Sequence, residues 1–484
     1  MAKIVVLGAG VSGHTAAAFI KRWLGKDADV TVISPKPDYN WLPSNIWVGL
    51  GRMAPSDVLV PLAPVYEKAG ITFKQARAIA IYPEGSDQLN APHVEAESTL
   101  PGISGSRELV AYDFLINATG PKLKFEATEG LGPDANSFSV CTADHAQQTA
   151  GSFLDHVNAM KQGATRKFLV GTGHGTCTCE GAALEYVVNL EYELRRHGVR
   201  DRAQVIYLSN EYQLGDFGMG GAHIRRGGYI TPTSIFTASL FAERGIDWII
   251  RSHVQKVEPD RLHYKTLDGE QHDLAFDFAM LLPPFSGVGL RAFARNGDDI
   301  TGNLFAPNGF MKVDANYENR PYQDWTAADW PRVYRSPAYA NIFAVGIAFA
   351  PPHPISQPRF ADDGTPIFAA PPRTGMPSAT IGKAVAHTIT NTILGHKNPL
   401  HTASMAEMGA ACVASTGAGL LSGTAAVMTV YPIVPDFQRF PDYGRELDYT
   451  MGEIGLAGHW IKLLLHYMFL YKARLRPGWH LIPE

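Results

Sequence analysis

A chain of 484 residues exceeds one ordinary core and suits two or three domains. Lys plus Arg number 42 against 46 Asp plus Glu, a formal charge of −4, with no basic run carrying interleaved aromatics, which argues against nucleic acid as a partner. The apolar share of 45% is ordinary for a soluble protein, and 47 glycines with 33 prolines indicate an α/β chain with many turns rather than a helical bundle.

The N-terminus, "KIVVLGAG", reads as a first strand. It has no basic leader or small-residue cleavage site, so no signal peptide is expected. In "KIVVLGAGVSGHTAAAFIKRWL" a β-branched run precedes Gly8, Gly10 and Gly13, and a helical stretch follows. This is GxGxxG in the context that gives it meaning. The first glycine makes the tight turn, the second admits a pyrophosphate, and the third allows close helix–strand packing. The next strand, "DVTVISP" (29–35), ends at Ser34, where an acidic side chain commonly meets the ribose.

"YDFLINATGPKL" (112–123) is a strand ending in Ala118, Thr119 and Gly120, and "YANIFAVGIAFAPP" (339–352) is one ending at Gly346 and Ile347. Both resemble recurring signatures of flavin enzymes with two dinucleotide-binding domains, with Ile347 where an aspartate is usual. Together with the first loop they imply one extended FAD. Between them, "RKFLVGTGHGTCTCEGAALEY" opens a second Rossmann-like unit. The strand after its helix, "QVIYLSNEY", ends in Ser209 and Asn210 rather than a firm acidic ribose ligand.

Only four cysteines occur, at 141, 177, 179 and 412, which is no disulfide framework for this length. The usual fate of such residues is an inert buried thiol. Zinc is disfavoured because no CxxC pair is present and the histidine spacing is wrong, so no metal is expected. Two of the four stand in the loop where a nicotinamide would stack, so sulfur chemistry is expected to replace hydride delivery.

Residues 408–435 lack charge over 28 positions but are rich in Gly, Ala, Ser and Thr. They read as buried turn and strand facing the flavin rather than as a membrane span. Residues 454–476 read as one helix with Trp460, Leu464, Tyr467 and Tyr471 on a stripe, interrupted by Lys462 and closed by Lys472, Arg474 and Arg476. That pattern suits a helix lying in a membrane interface; the bland alternative is a core-facing helix.

Over nearly its whole length the chain resembles the sulfide:quinone oxidoreductases. "YNWLPSNIWVG" (39–49), with Ser44 and Asn45, is similar to the segment lying along the isoalloxazine ring. "SVCTADHA" (139–146) matches a family cysteine and histidine at Cys141 and His145. "CEGAALEY" (179–186) begins with the matching redox cysteine, so Cys179 rather than Cys177 corresponds. "RTGMPS" (373–378), with Thr374 and Gly375, resembles the segment capping the flavin pyrimidine, and Ala78 completes the cofactor-lining positions. The last family cysteine has Ser404 in its place, with Cys412 following. A family histidine near "EYQLGDFG" is absent, with Asp216 close to its position and His223 further on.

The resemblance implies an α/β fold of two nested Rossmann-like domains with a C-terminal membrane-binding segment. Residues 1–130 plus 331–400 would bind FAD, 131–330 would form the second unit, and 401–484 would cover the flavin and meet membrane and quinone. The implied activity is FAD-dependent oxidation of sulfide to zero-valent sulfur or polysulfide with electrons passed to a membrane quinone. Cys179, Cys412 and Cys141 would be catalytic, Cys179 pairing with Cys412, with His145 and Lys462 on the substrate side. The implied partners are sulfide, quinone and a lipid bilayer bound from one side (monotopic); a homo-oligomer is also allowed. The alternatives are a flavocytochrome c-type subunit, a type II NADH dehydrogenase, and a flavin-bearing sensor or scaffold that turns over nothing.

Overall fold

The computed structural model describes residues 1–178, 180–417, 421 and 423–484. Its centre is an α/β sheet ordered Ile342–Ala344, Phe114–Asn117, Ala2–Leu7, Ala28–Ser34, Thr72–Tyr82, His93–Ser98, Arg107–Ala111. The first five strands run parallel, and the last two turn back as antiparallel partners. Ile4, Val5, Val6 and Leu7 are buried without alternation because both faces of this strand are covered. The helices Val11–Leu24 and Gly375–Ile393 pack against each other beside it.

A second parallel sheet is ordered Ile246–Ile249, Ala203–Leu208, Arg166–Thr172, Phe278–Leu282. In each sheet the strand that feeds a glycine loop, Ala2–Leu7 or Arg166–Thr172, lies between neighbours reached by connections on opposite sides. Both loops therefore open at a switch point, where α/β sheets hold their ligands. The strand Arg291–Ala292 pairs with Thr72–Tyr82 and ties the two sheets' chain segments together.

The uncharged stretch forms the strands Ala410–Thr416 and Thr424–Val430, paired with Cys412 opposite Met428. Their small and β-branched side chains suit a covered sheet better than a helix. Met451–Gly455 adds to this hairpin, pairing Ile454 with Ala426 and Gly455 with Ala425. The expected helix over 454–476 therefore starts later, at Leu456, and runs to Ala473. Cross-strand pairing outcompetes helix propensity at its first two residues. Among the described residues no helix is long and apolar enough to cross a membrane.

Candidate functional site

The first glycine loop is built as its spacing demands. Gly8 has φ +97°, and a Cβ there would collide with the Ala118 carbonyl; a Cβ at Gly13 would collide with the Gly8 carbonyl. A Cβ at Gly10 would meet nothing within 4 Å. Gly10 caps Val11–Leu24 with no side-chain bond, so the helix's first amide groups are left for a ligand. The helix Gly375–Ile393, capped by Thr374, is likewise without a side-chain cap, and Gly375 faces open space. The two helix starts meet at Gly346, whose φ is +63° and whose added Cβ would run into Ser12 Oγ, with Ser378 Cβ at 3.7 Å.

Around this cradle Thr119 Oγ1 donates to Asn117 Oδ1 at 2.8 Å, and Gly120 is open. The Ile347 carbonyl accepts from Arg373 at 2.6 Å. Ser34 is buried, with its hydroxyl 3.3 Å from the Lys36 carbonyl. Ala78 is partly buried at a register shift in its strand. Asn45 donates to the Val140 carbonyl at 3.1 Å, which joins the 39–49 segment to the Cys141 loop. His14 Nε2 and Trp47 Nε1 are buried without a partner among the described residues. Burial pulls His14 down to about 4, with Lys472 adding to the effect, so its ring is neutral. An open Gly10, two uncapped helix starts and two orphaned donors or acceptors fit an extended dinucleotide carrying its own polar groups.

The cysteines stand in different settings. Cys179 lies outside the described residues. Cys177 is fully buried, with Sγ 3.1 Å from the Leu282 carbonyl. Cys412 Sγ lies 3.3 Å from the position a Gly181 Cβ would take, against the first turn of the helix Glu180–Arg196. Burial pushes its thiol up to about 11; Glu185 adds to this and Lys462 opposes it. Cys141 keeps partial exposure as a residue, yet the packing around its sulfur pushes it up to about 11, against the Ser139 hydroxyl. His145 is not among the groups acting on Cys141. Its ring meets Phe125 edge-on at 5.8 Å, and its Nδ1 is buried without a partner among the described residues.

The second glycine loop is filled by the chain itself. Asn210 Nδ2 donates to the carbonyls of Gly175, Cys177 and Phe368 at 3.3, 3.2 and 3.1 Å. Phe368 N bonds Gly175 O at 2.9 Å, and Ala370 N bonds Cys177 O at 2.8 Å. Thr178 Oγ1 bonds the Pro371 carbonyl at 3.0 Å. The residue at the expected ribose position thus faces inward and holds the loop shut.

On the C-terminal helix, Lys462 Nζ meets Glu185 Oε2 at 2.9 Å in the interior. Burial holds Glu185 above the ordinary carboxylate range even so. One turn on, His466 Nδ1 lies 2.8 Å from Ser44 Oγ, and Phe469 stacks on Trp41 at 4.7 Å. The opposite face shows Trp460, Ile461, Leu464 and Tyr467 at 44, 48, 56 and 65% exposure. The helix turns its polar His459, Lys462, His466 and Lys472 inward beside Leu470 and Ala473, and leaves large apolar side chains outward.

Sequence reasoning missed the buried acids that flank the cysteine loop and Asn210. Glu180 and Glu185 lie in the helix after residue 179, and Glu211 follows Asn210. A signal existed for Glu180: it shares a helical stripe with Ala183, Leu184 and Val187.

No protein-family model matches the chain. The sulfide-quinone reductase of Aquifex aeolicus (strain VF5) is 31% identical over 476 residues, 98% of this chain and 92% of that protein. The crystal structure of the sulfide:quinone oxidoreductase from the hyperthermophilic bacterium Aquifex aeolicus superposes with a TM-score of 0.73 at 28% identity, covering 99% of this chain and 93% of that one. NDH2 from Plasmodium falciparum shares the fold, with a TM-score of 0.63 at 15% identity over 98% of this chain and 96% of that one.

Proposed function

The chain belongs to the sulfide-quinone reductase family, and from that premise we propose that it oxidises sulfide to zero-valent sulfur or polysulfide and passes the electrons through FAD to a membrane quinone. The observation that carries the thiol assignment is Cys412 Sγ against Gly181, two residues past Cys179. That contact supports Cys179 and Cys412 as the sulfur-handling pair, with Cys177 committed to the Leu282 carbonyl. Cys141, one residue after the carbonyl that Asn45 engages, serves as a further thiol at the flavin edge.

Gly8, Gly10, Gly13, Gly346, Thr374 and Gly375 would hold FAD, with Ser34, Ala78, Ala118, Thr119, Gly120 and Ile347 lining it and Ser44 and Asn45 beside its ring. When bound, the flavin supplies a two-electron acceptor beside the thiols. The protein's own part is to keep the thiols dry, to orient Cys412 through the hairpin, and to place a charged pair, Lys462 with Glu185, next to it. The apolar outward face of Leu456–Ala473 supports monotopic contact with a bilayer, and its inward Lys462 and His466 supports a quinone head group approaching from that side. The closed second glycine loop speaks against an NADH dehydrogenase.

The deciding experiment is an anaerobic flavin spectrum with NADH, sulfide and decyl-quinone added in turn. Bleaching by sulfide but not NADH, and recovery with quinone, is expected. Bleaching by NADH alone would sink this reading.

A further inference from the structure

The charged pair beside Cys412 stands where it can govern the sulfur itself. Cys412 Sγ lies against the Gly181 position of the helix Glu180–Arg196. Glu185 follows Gly181 by four residues, so the two share a face one turn apart, and helical side chains lean back toward the N-terminus. The Glu185 carboxyl is thereby carried toward Cys412. The backbone of Ser415, in the same strand as Cys412, faces that carboxyl. Lys462 reaches the spot from the C-terminal helix and meets Glu185 Oε2 at 2.9 Å. Glu185 Oε1 is buried with no hydrogen-bond partner among the described residues.

The neighbouring histidines of the C-terminal helix have partners of their own. One turn before Lys462, His459 Nδ1 lies 2.6 Å from Ser415 Oγ, and one turn after it His466 meets Ser44. The charged groups acting on the Cys412 thiol are Glu185, which pushes it up, and Lys462, which opposes this. A thiol, a carboxylate and an ammonium thus meet at one place, fed by two helices and a strand. A carboxylate and a thiolate there compete for one cation. While Cys412 is a neutral thiol, the carboxylate holds the ammonium.

We propose that Lys462 is the counter-ion for anionic sulfur on Cys412, and that Glu185 competes with the sulfur for it. The part this plays in turnover rests on the sulfide reading above. Sulfide opening a Cys179–Cys412 bridge brings in one negative charge. HS⁻ forms a new S–S bond as a persulfide, the old S–S bond breaks, and its electron pair leaves on the other sulfur as a thiolate. Atoms and charge balance, and no further reagent enters. When Cys412 is the leaving sulfur, the charge lands beside an ammonium already buried there. Lys462 acts on the sulfur by its charge and exchanges no proton with it.

The test is alkylation by iodoacetamide of reduced, full-length, flavin-loaded protein, at one pH below the titration of Cys412. Cys412 keeps partial exposure, so the reagent reaches it. Lys462→Met should slow its labelling about tenfold, Glu185→Gln should speed it about tenfold, and Lys462→Arg should stay within about twofold of the wild type. A helix loosened by substitution would speed labelling, so the direction in Lys462→Met separates charge from packing. Cys177, held by the Leu282 carbonyl, reports loosening and should label alike in all four proteins. Bleaching by sulfide should slow in Lys462→Met and persist in Lys462→Arg. Unchanged or faster Cys412 labelling in Lys462→Met overturns the proposal, as does a rise in Glu185→Gln that Cys177 shares. A wild type that sulfide leaves unbleached overturns the sulfide reading, whereas the order of labelling decides the counter-ion.

Discussion

Lys462 Nζ and Glu185 Oε2 meet at 2.9 Å across 277 residues of chain, and both side chains are about nine-tenths buried. This contact ties the C-terminal helix to the helix that follows Cys179, beside the Cys412 sulfur. Removing either partner leaves a buried charge unpaired. Lys462→Met or Glu185→Gln alone is expected to lower stability by about 3–5 kcal/mol, and the double variant to recover most of it. Urea unfolding checks this; a double variant as weak as the worse single one would mean the charges do not act as a pair.

Gly10→Ala and Gly13→Ala should behave oppositely. The Gly10 methyl meets no protein atom within 4 Å, whereas the Gly13 methyl strikes the Gly8 carbonyl. Gly10→Ala is therefore expected to keep the thermal stability of the flavin-free protein, within about 0.5 kcal/mol, while losing FAD. Gly13→Ala should destabilise the flavin-free protein as well. Flavin content after desalting, with melting curves of stripped protein, distinguishes them.

The thiols of Cys141 and Cys412, both held near 11 by burial, should be slow nucleophiles in reduced protein at neutral pH. Their alkylation by iodoacetamide should rise about tenfold per pH unit until the thiol titrates. Mass spectrometry of the labelled peptides reads this directly, and rapid labelling at pH 7 would contradict the burial argument.

Truncation before Ile454 is a poor test of membrane contact. It would remove Ile454 and Gly455 from a sheet and Lys462, His466 and Leu470 from the interior. Leu464→Glu with Tyr467→Glu leaves those contacts in place, because both residues are exposed. The double variant should fold normally, lose binding to liposomes, and slow quinone reduction more than bleaching by sulfide. Undiminished vesicle binding would rule the helix face out as the contact.

Glu180 also sets a pH dependence of stability. Its folded pKa lies above its unfolded one, so the folded state keeps a proton that the unfolded chain loses above about 4.5. Unfolding free energy should fall as pH rises from there, and Glu211, raised to about 7, adds to the same slope. Glu180→Gln should flatten the slope and be relatively more stable than wild type at alkaline pH. Denaturation midpoints across the pH range provide the check.

The residues legible in the sequence were those whose geometry admits few substitutes. Gly8 and Gly13 touch backbone, so their spacing alone announced the loop. The helix start at Leu456 was not legible, because strand pairing of Ile454 with Ala426 is decided by chain 28 residues away. Lys462 was visible as a break in an apolar run, but its partner was not, since a contact spanning 277 residues leaves no periodic trace. Asn210 stands at the strand end where an acidic ribose ligand is usual. Its amide instead turns inward to three carbonyls, a choice settled by the arrival of the 366–371 segment.

That segment carries a consequence for anyone wishing to redesign the electron donor. In an open Rossmann loop, cofactor choice is a matter of one or two side chains at the ribose. Here backbone amides of Phe368 and Ala370 already occupy the carbonyls of Gly175 and Cys177. Backbone cannot be trimmed by point substitution, so accepting a nicotinamide would require rerouting a stretch of chain and giving Asn210 new partners. Closure of this loop is thereby written into chain path rather than into side-chain identity, and drift at single positions would not undo it.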